Sequence, residues 1–132
     1  MSLTFYPKYG TVLICDFNTG FYPPEMVKKR PVVVVSPRKR VGADVVTIVP
    51  LSTSKPSILH KWHCGIDTSI LPFHFRAKDT WAKCDMITSV GLWRLDRMKE
   101  KVDGKRVYTA PTLAASDLAA IQLGIKAHLN LT

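Results

Sequence analysis

The chain has 132 residues, 46% of them apolar, and carries 19 Lys+Arg against 10 Asp+Glu for a formal net charge of +9. The length predicts one domain, residues 1–132, whose core needs no disulfide or metal staple, and the apolar share excludes a disordered chain. The charge marks a partner of polyanions, either nucleic acid or an acidic protein, while no apolar run is longer than that of Val32–Val35, far too short to span a bilayer.

The N-terminus lacks a basic start followed by an apolar stretch, so no secretion signal is expected. With it, the odd set Cys15, Cys64 and Cys84 reads as reduced thiols in a cytoplasm. The basic excess is uneven, with tight clusters at Lys28-Lys29-Arg30 and Arg38-Lys39-Arg40.

Gly10–Phe17 reads as a strand closed by Asn18-Thr19-Gly20. The stretch Phe21–Arg30 holds Pro23 and Pro24 and reads as a loop. Arg30-Pro31 leads into four valines, the pattern of a strand buried on both faces. A basic turn is expected over 38–44, then a strand over Val45–Val49 and a polar loop over Pro50–Pro56. Residues 58–75 are less regular. Thr80–Val90 alternates as one strand, which would place Trp81, Lys83, Asp85 and Ile87 on one side and Ala82, Cys84, Met86 and Thr88 on the other. Arg94–Lys101 reads as a turn or short helix, Asp103-Gly104 as a tight turn and Arg106–Thr109 as a strand. Ser116-Asp117 would cap a final helix running to His128, with Leu118, Ile121, Leu123, Ile125 and Leu129 as its apolar stripe. Several short strands and one late helix make a mainly β fold, a small barrel with an appended C-terminal helix.

Three segments carry chemistry. Arg30, at the start of a strand, can clamp two phosphate oxygens with its planar fork; its structural alternative is a surface charge or a pair with Glu25. Ser52 and Thr53 offer hydroxyls to a phosphate, or cap a turn. Lys83 and Asp85 stand two residues apart, about 7 Å along a strand; the pair serves charge support and proton transfer, or is a plain ion pair. Trp81, sharing their face, suits stacking on an unpaired base. His60, His63 and Cys64 are close in sequence, but no Cys-x-x-Cys accompanies them and the carboxylates are scattered, so no metal is expected.

In order and spacing, the Gly10–Phe17 strand, the Arg30-Pro31 valine strand ending at Ser36, the Val49–Ser54 loop and Lys83-Cys84-Asp85 resemble the MazF/PemK/Kid toxins of type II toxin–antitoxin systems. The resemblance implies an SH3-like small barrel, a homodimer, and a metal-independent, cofactor-free endoribonuclease (an mRNA interferase). Such an enzyme cuts single-stranded RNA by attack of the 2′-OH, and a cognate antitoxin covers its groove with an acidic tail. On these positions the catalytic set would be Arg30, Ser52, Lys83 and Asp85, with Lys28, Lys29, Thr53 and Trp81 holding substrate. Two departures stand out: Lys83 replaces an Arg of the Kid branch, and Pro24, before Glu25, stands where that branch has His. The general base is therefore open between Glu25, Asp85 and a histidine of the 58–75 segment. The rival readings are a CcdB-like gyrase poison on the same barrel and a non-catalytic nucleic-acid-binding barrel.

Overall fold

The computed structural model describes residues 3–38, 44–76 and 78–131. Lys39, Arg40 and most of the expected basic turn lie outside the described residues. The strands are β1 (Val12–Asp16), β2 (Lys29–Val34), β3 (Val45–Ser52), β4 (His63–Ile66), β5 (Thr80–Lys83), β6 (Thr88–Gly91), β7 (Leu95–Asp96), β8 (Met98–Val102) and β9 (Lys105–Thr109). The helices are the one-turn α1 (Phe73–Arg76) and the C-terminal α2 (Ala115–His128).

The main sheet runs β4-β5-β3-β2-β1-β7, with β6 also paired to β3, and every pairing is antiparallel. β3 organises it. Along one edge it bonds β2; along the other, Val45–Ile48 bond β6 and Leu51-Ser52 bond β5. A strand that changes neighbours partway bends the sheet, which gives the expected mainly β architecture with a C-terminal helix. β8 and β9 form a separate hairpin. Its turn is Asp103-Gly104, both at positive φ (51° and 76°), the backbone that a two-residue hairpin requires.

Burial follows the valine run. Val32, Val33 and Val34 are fully buried because the sheet is covered on both sides. On one side Val12, Val33, Val49, Leu51, Ala82, Cys84 and Ile121 pack beneath α2. On the other, Leu13, Cys15, Phe17, Val32, Val34, Val46 and Ile48 form a second core.

Several elements depart from the sequence reading. β3 continues through Pro50 to Ser52 instead of ending at Val49. Pro50 falls between the stretch bonded to β6 and the stretch bonded to β5, where its missing N–H interrupts no ladder bond on that edge. Arg94–Lys101 is not a helix but contributes β7 and most of β8, after a 3-10 turn at Leu92–Arg94. The expected strand over 80–90 breaks: β5 ends at Lys83, Cys84–Met86 form a 3-10 turn, and β6 begins at Thr88. α2 starts at Ala115 without a side-chain cap, so Ser116 and Asp117 lie inside its first turn. There the Asp117 carboxylate accepts the Asp67 N–H at 3.1 Å and lies near the positive end of the helix dipole. Leu123 and Leu129 do not belong to the buried stripe, being 67% and 49% exposed. Leu118, Ile121, Gly124 and Ile125 face the core instead. Gly124 is required there: a Cβ would stand 2.8 Å from Cys84 Sγ and 3.1 Å from Cys64 Sγ.

Candidate active site

The sheet register assembles most of the expected residues on one face, opposite α2. Ser52 pairs with Trp81 across β3–β5, and Lys83 pairs with His63 across β5–β4. Two residues apart on one strand, Trp81 and Lys83 share a side. Arg30 joins them from β2. It stands opposite the buried Cys15, and it alternates with Val32, whose partner Pro50 alternates with Ser52. The face therefore carries Arg30, Ser52, Trp81, Lys83 and His63.

Each side chain has a local cause for its placement. Arg30 is half-buried, and its Nε donates to Val27 O at 3.1 Å, which ties the side chain back to the loop before β2. Among the described residues this is its one side-chain hydrogen bond, and no ion pair with Glu25 forms. The terminal amino groups of the fork are thus uncommitted. Ser52 Oγ accepts the Ser54 N–H at 3.1 Å, so the turn-capping role expected of it is real. That bond uses an acceptor lone pair and leaves the O–H free to donate. Thr53, Lys28 and Lys29 are exposed around this edge.

Asp85 is placed differently from the sequence expectation. The 3-10 turn removes it from the alternation of β5. It forms no ion pair with Lys83 among the described residues; its Oδ1 stands 3.8 Å from His63 Nε2 instead. His63 accepts the His60 N–H on Nδ1 at 3.1 Å, so its neutral ring carries the proton on Nε2, facing Asp85. The imidazole side chain is 8% exposed and the carboxylate 36%. The ring is nearly buried with its Nδ1 lone pair engaged, and the carboxylate beside it is the more accessible of the two.

Asp85 also lines a cleft of about 380 Å³ with Pro24, Glu25, Phe17, Phe21 and Met26. The loop that holds Pro24 in place of His therefore does reach Asp85, and it brings Glu25 with it. Trp81 lines a different hollow with Gly65, Arg76 and Lys78. Among the described residues its buried Nε1 has no hydrogen-bond partner, so the ring is held by packing rather than presented beside Asp85.

The thiols face the other way. Cys64 and Cys84 donate to Ala120 O and Ile121 O of α2. His63 and Cys64 thus point to opposite faces of β4 and do not converge on one ion. Burial pushes the Cys15 thiol up to about 12. Cys84 is raised, first by its hydrogen bond to Cys64 and then by burial, while the same bond lowers Cys64 to about 7. His63 is a residue that the sequence named as a possible metal ligand and, beside the catalytic set, only as part of the 58–75 segment. Its signal was register: the position opposite Lys83.

Comparison with known proteins places this arrangement. Residues 8–127 match the family described as PemK-like, MazF-like toxin of type II toxin–antitoxin system. The chain belongs to the PemK/MazF toxin family. The Escherichia coli K12 protein YifN is 31% identical over 119 residues, covering 75% of this chain and 78% of YifN. MazF from Deinococcus radiodurans superposes with a TM-score of 0.68 at 16% identity, over 96% of this chain and 99% of that one. A mycobacterial endoribonuclease, solved in complex with its cognate antitoxin, gives a TM-score of 0.65 at 18% identity, over 96% and 97% of the two chains. The fold is thus that of the MazF toxins, and the expected family assignment holds.

Proposed function

We propose that this PemK/MazF-family toxin is a metal-independent endoribonuclease that cleaves single-stranded RNA through its own 2′-OH. The observation that carries the reading is the sheet face on which Arg30, Ser52 and Lys83 meet, with Asp85 at its edge beside His63. The 2′-oxygen attacks the adjacent phosphorus, its proton passes to a base, and the bond to the 5′-oxygen breaks as that oxygen takes up a proton from water. The products are a 2′,3′-cyclic phosphate and a 5′-OH. The free amino groups of Arg30 stabilise the phosphorane, Ser52 donates to a phosphate oxygen, and Lys83 adds charge without the fork of an Arg. Asp85, positioned by His63, takes the proton; Glu25, lining the same cleft, is the alternative base. Lys28, Lys29 and Thr53 hold flanking phosphates, and Trp81 supports the base side from its neighbouring hollow.

The protein would act in the cytoplasm as a homodimer and be silenced by an antitoxin whose acidic tail meets the same cations. The deciding experiment is incubation of purified protein with a long RNA in excess EDTA, followed by mapping of the cut ends. Cleavage leaving 5′-OH ends supports the reading. Cleavage that disappears in EDTA and returns with Mg²⁺ overturns the mechanism, and no cleavage at all leaves a gyrase-directed toxin or a non-catalytic binder.

A further inference from the structure

The β8–β9 hairpin stands outside the main sheet, and its two faces differ. On the inner face Met98 is fully buried and Glu100 accepts from Arg76 at 3.2 Å, which anchors the hairpin to the body. On the outer face Lys99 stands opposite Tyr108 and Lys101 opposite Arg106. The Arg97 guanidinium lies 4.8 Å from the centre of the Tyr108 ring, and Lys99 Nζ lies 5.9 Å from it. The face therefore displays four cations, two of them, Arg97 and Lys99, at the Tyr108 ring. The hairpin's acids are elsewhere, Glu100 on the inner face and Asp103 in the turn.

This face is costly for the isolated protein. Like charges directly opposite each other destabilise an antiparallel ladder, and Lys101–Arg106 is such a pair. A chain shaped for stability alone would carry an acid at one of the two positions. The face continues into a cleft of about 500 Å³ whose lining includes Lys29, Trp93, Arg94, Arg97 and Lys99, with Asp16 and Asp96 as its acids. Arg94 is pinned there by bonds to Asp16 O and Thr19 O at 3.0 and 2.8 Å, and its guanidinium lies 4.4 Å from the Trp93 ring centre. Trp93 is 61% exposed.

We propose that the outer face of the β8–β9 hairpin and this cleft form a second binding surface for single-stranded RNA, which holds the strand where it runs on from the cleaved bond. Cations spaced along a strand neutralise phosphates, and the Tyr108 and Trp93 rings offer platforms for unpaired bases. The cleft comes within one residue of the candidate active site along the chain: Lys29 lines it from one face of β2, and Arg30 stands on the other, so a strand of RNA would pass from one face to the other around this end of β2. An acidic peptide would satisfy the cations but would bring no planar base to stack on the two rings. The inference rests on the RNA-cleaving reading above and extends it to substrate beyond the scissile bond.

The test uses the triple variant Lys99→Ala, Lys101→Ala, Arg106→Ala, with Lys101→Glu as a second probe. Filter binding to a 2′-O-methyl single strand, which has no nucleophile to cleave, reads the surface independently of catalysis. Removing three cations should make the slope of log K against log salt shallower by about 2, at roughly 0.7 per neutralised phosphate. KM should rise for a long RNA, while kcat and the cleavage of a short oligonucleotide stay unchanged. Lys101→Glu should melt no lower than wild type, since it turns a repulsive pair into an attractive one, yet bind RNA more weakly. An unchanged salt slope and KM in the folded variants would overturn the proposal. So would variants that lose binding only to an acidic peptide, which would assign the face to a protein partner. If wild type cuts no RNA while the slope still falls in the variant, the cleavage reading fails and the binding surface stands.

Discussion

Replacing Gly124 with Ala tests how α2 is seated over the candidate site. The added Cβ would lie 2.8 Å from Cys84 Sγ, 3.1 Å from Cys64 Sγ and 3.4 Å from Cys84 Cβ. A fully buried thiol bonded to Ile121 O has little room to retreat. Overpacking of this kind costs roughly 1–3 kcal/mol. Ala gains about 1 kcal/mol over Gly in a helix, so the net loss should be about 1 kcal/mol. At this chain length that lowers Tm by about 4 °C, read by circular dichroism. Cys84 sits between Lys83 and Asp85, so the push that destabilises the helix seat should also slow RNA cleavage. Adding Cys84→Ala opens the space, and the double variant should be more stable than the sum of the single effects predicts. A Tm that rises in Gly124→Ala, or single effects that add within about 0.5 kcal/mol, would show that the thiols do not limit the helix.

The other expectations are simpler. Arg30→Ala should slow cleavage by roughly 10²–10³ with an unchanged circular-dichroism spectrum, and Arg30→Lys should recover only part; normal cleavage by Arg30→Ala removes it from the mechanism. Asp85→Asn should bind RNA as tightly as wild type or more so, while single-turnover cleavage falls by about 10²–10⁴; matching rates would move the base to Glu25. Alkylation near neutral pH should modify Cys64, lowered to about 7, before Cys15, raised to about 12 by burial; the thiolate fraction of Cys64 grows as pH rises through 7, and equal labelling of all three thiols in mass spectra would contradict the packing. Light scattering at micromolar concentration should report roughly twice 14.8 kDa, and a clean monomer that still cuts RNA would rule out a groove shared between subunits.

Much of the fold was legible because a few local signals agree with the tertiary structure. The valine run predicts a strand buried on both faces, and Val32–Val34 are so buried. Asp103-Gly104 makes its turn by supplying positive φ at both positions. What escaped the sequence depended on partners distant along the chain. Thr80–Val90 alternates well enough for one strand, yet the Ile87 N–H bonds to Cys84 O and closes a 3-10 turn. That turn directs Asp85 towards His63, a contact no alternation pattern encodes. Pro50 reads as a strand terminator until β3 is known to change neighbours beside it. Gly124 adds nothing to an apolar stripe, yet it is where α2 comes closest to the thiols, and so Leu123 was assigned a burial that it lacks.

The case for chemistry rather than binding alone comes down to one carboxylate. In a chain with a net charge of +9, a phosphate-binding face gains nothing from an acid set among its cations, because the acid repels the ligand. Among the described residues Asp85 forms no ion pair with Lys83; its neighbour is His63, whose Nε2 lies 3.8 Å away and makes an ion pair only when protonated. The histidine, in turn, uses its free lone pair on a backbone N–H rather than on solvent. The carboxylate beside this buried ring stays accessible in a cleft. On the proposed reading this accessible carboxylate serves as the base for attack by a 2′-OH, a role for which a binding surface has no use. The loop carrying Pro24 lines the same cleft, so where Pro24 replaces a histidine the proposed reading still has two carboxylates, Asp85 and Glu25, as candidate proton acceptors.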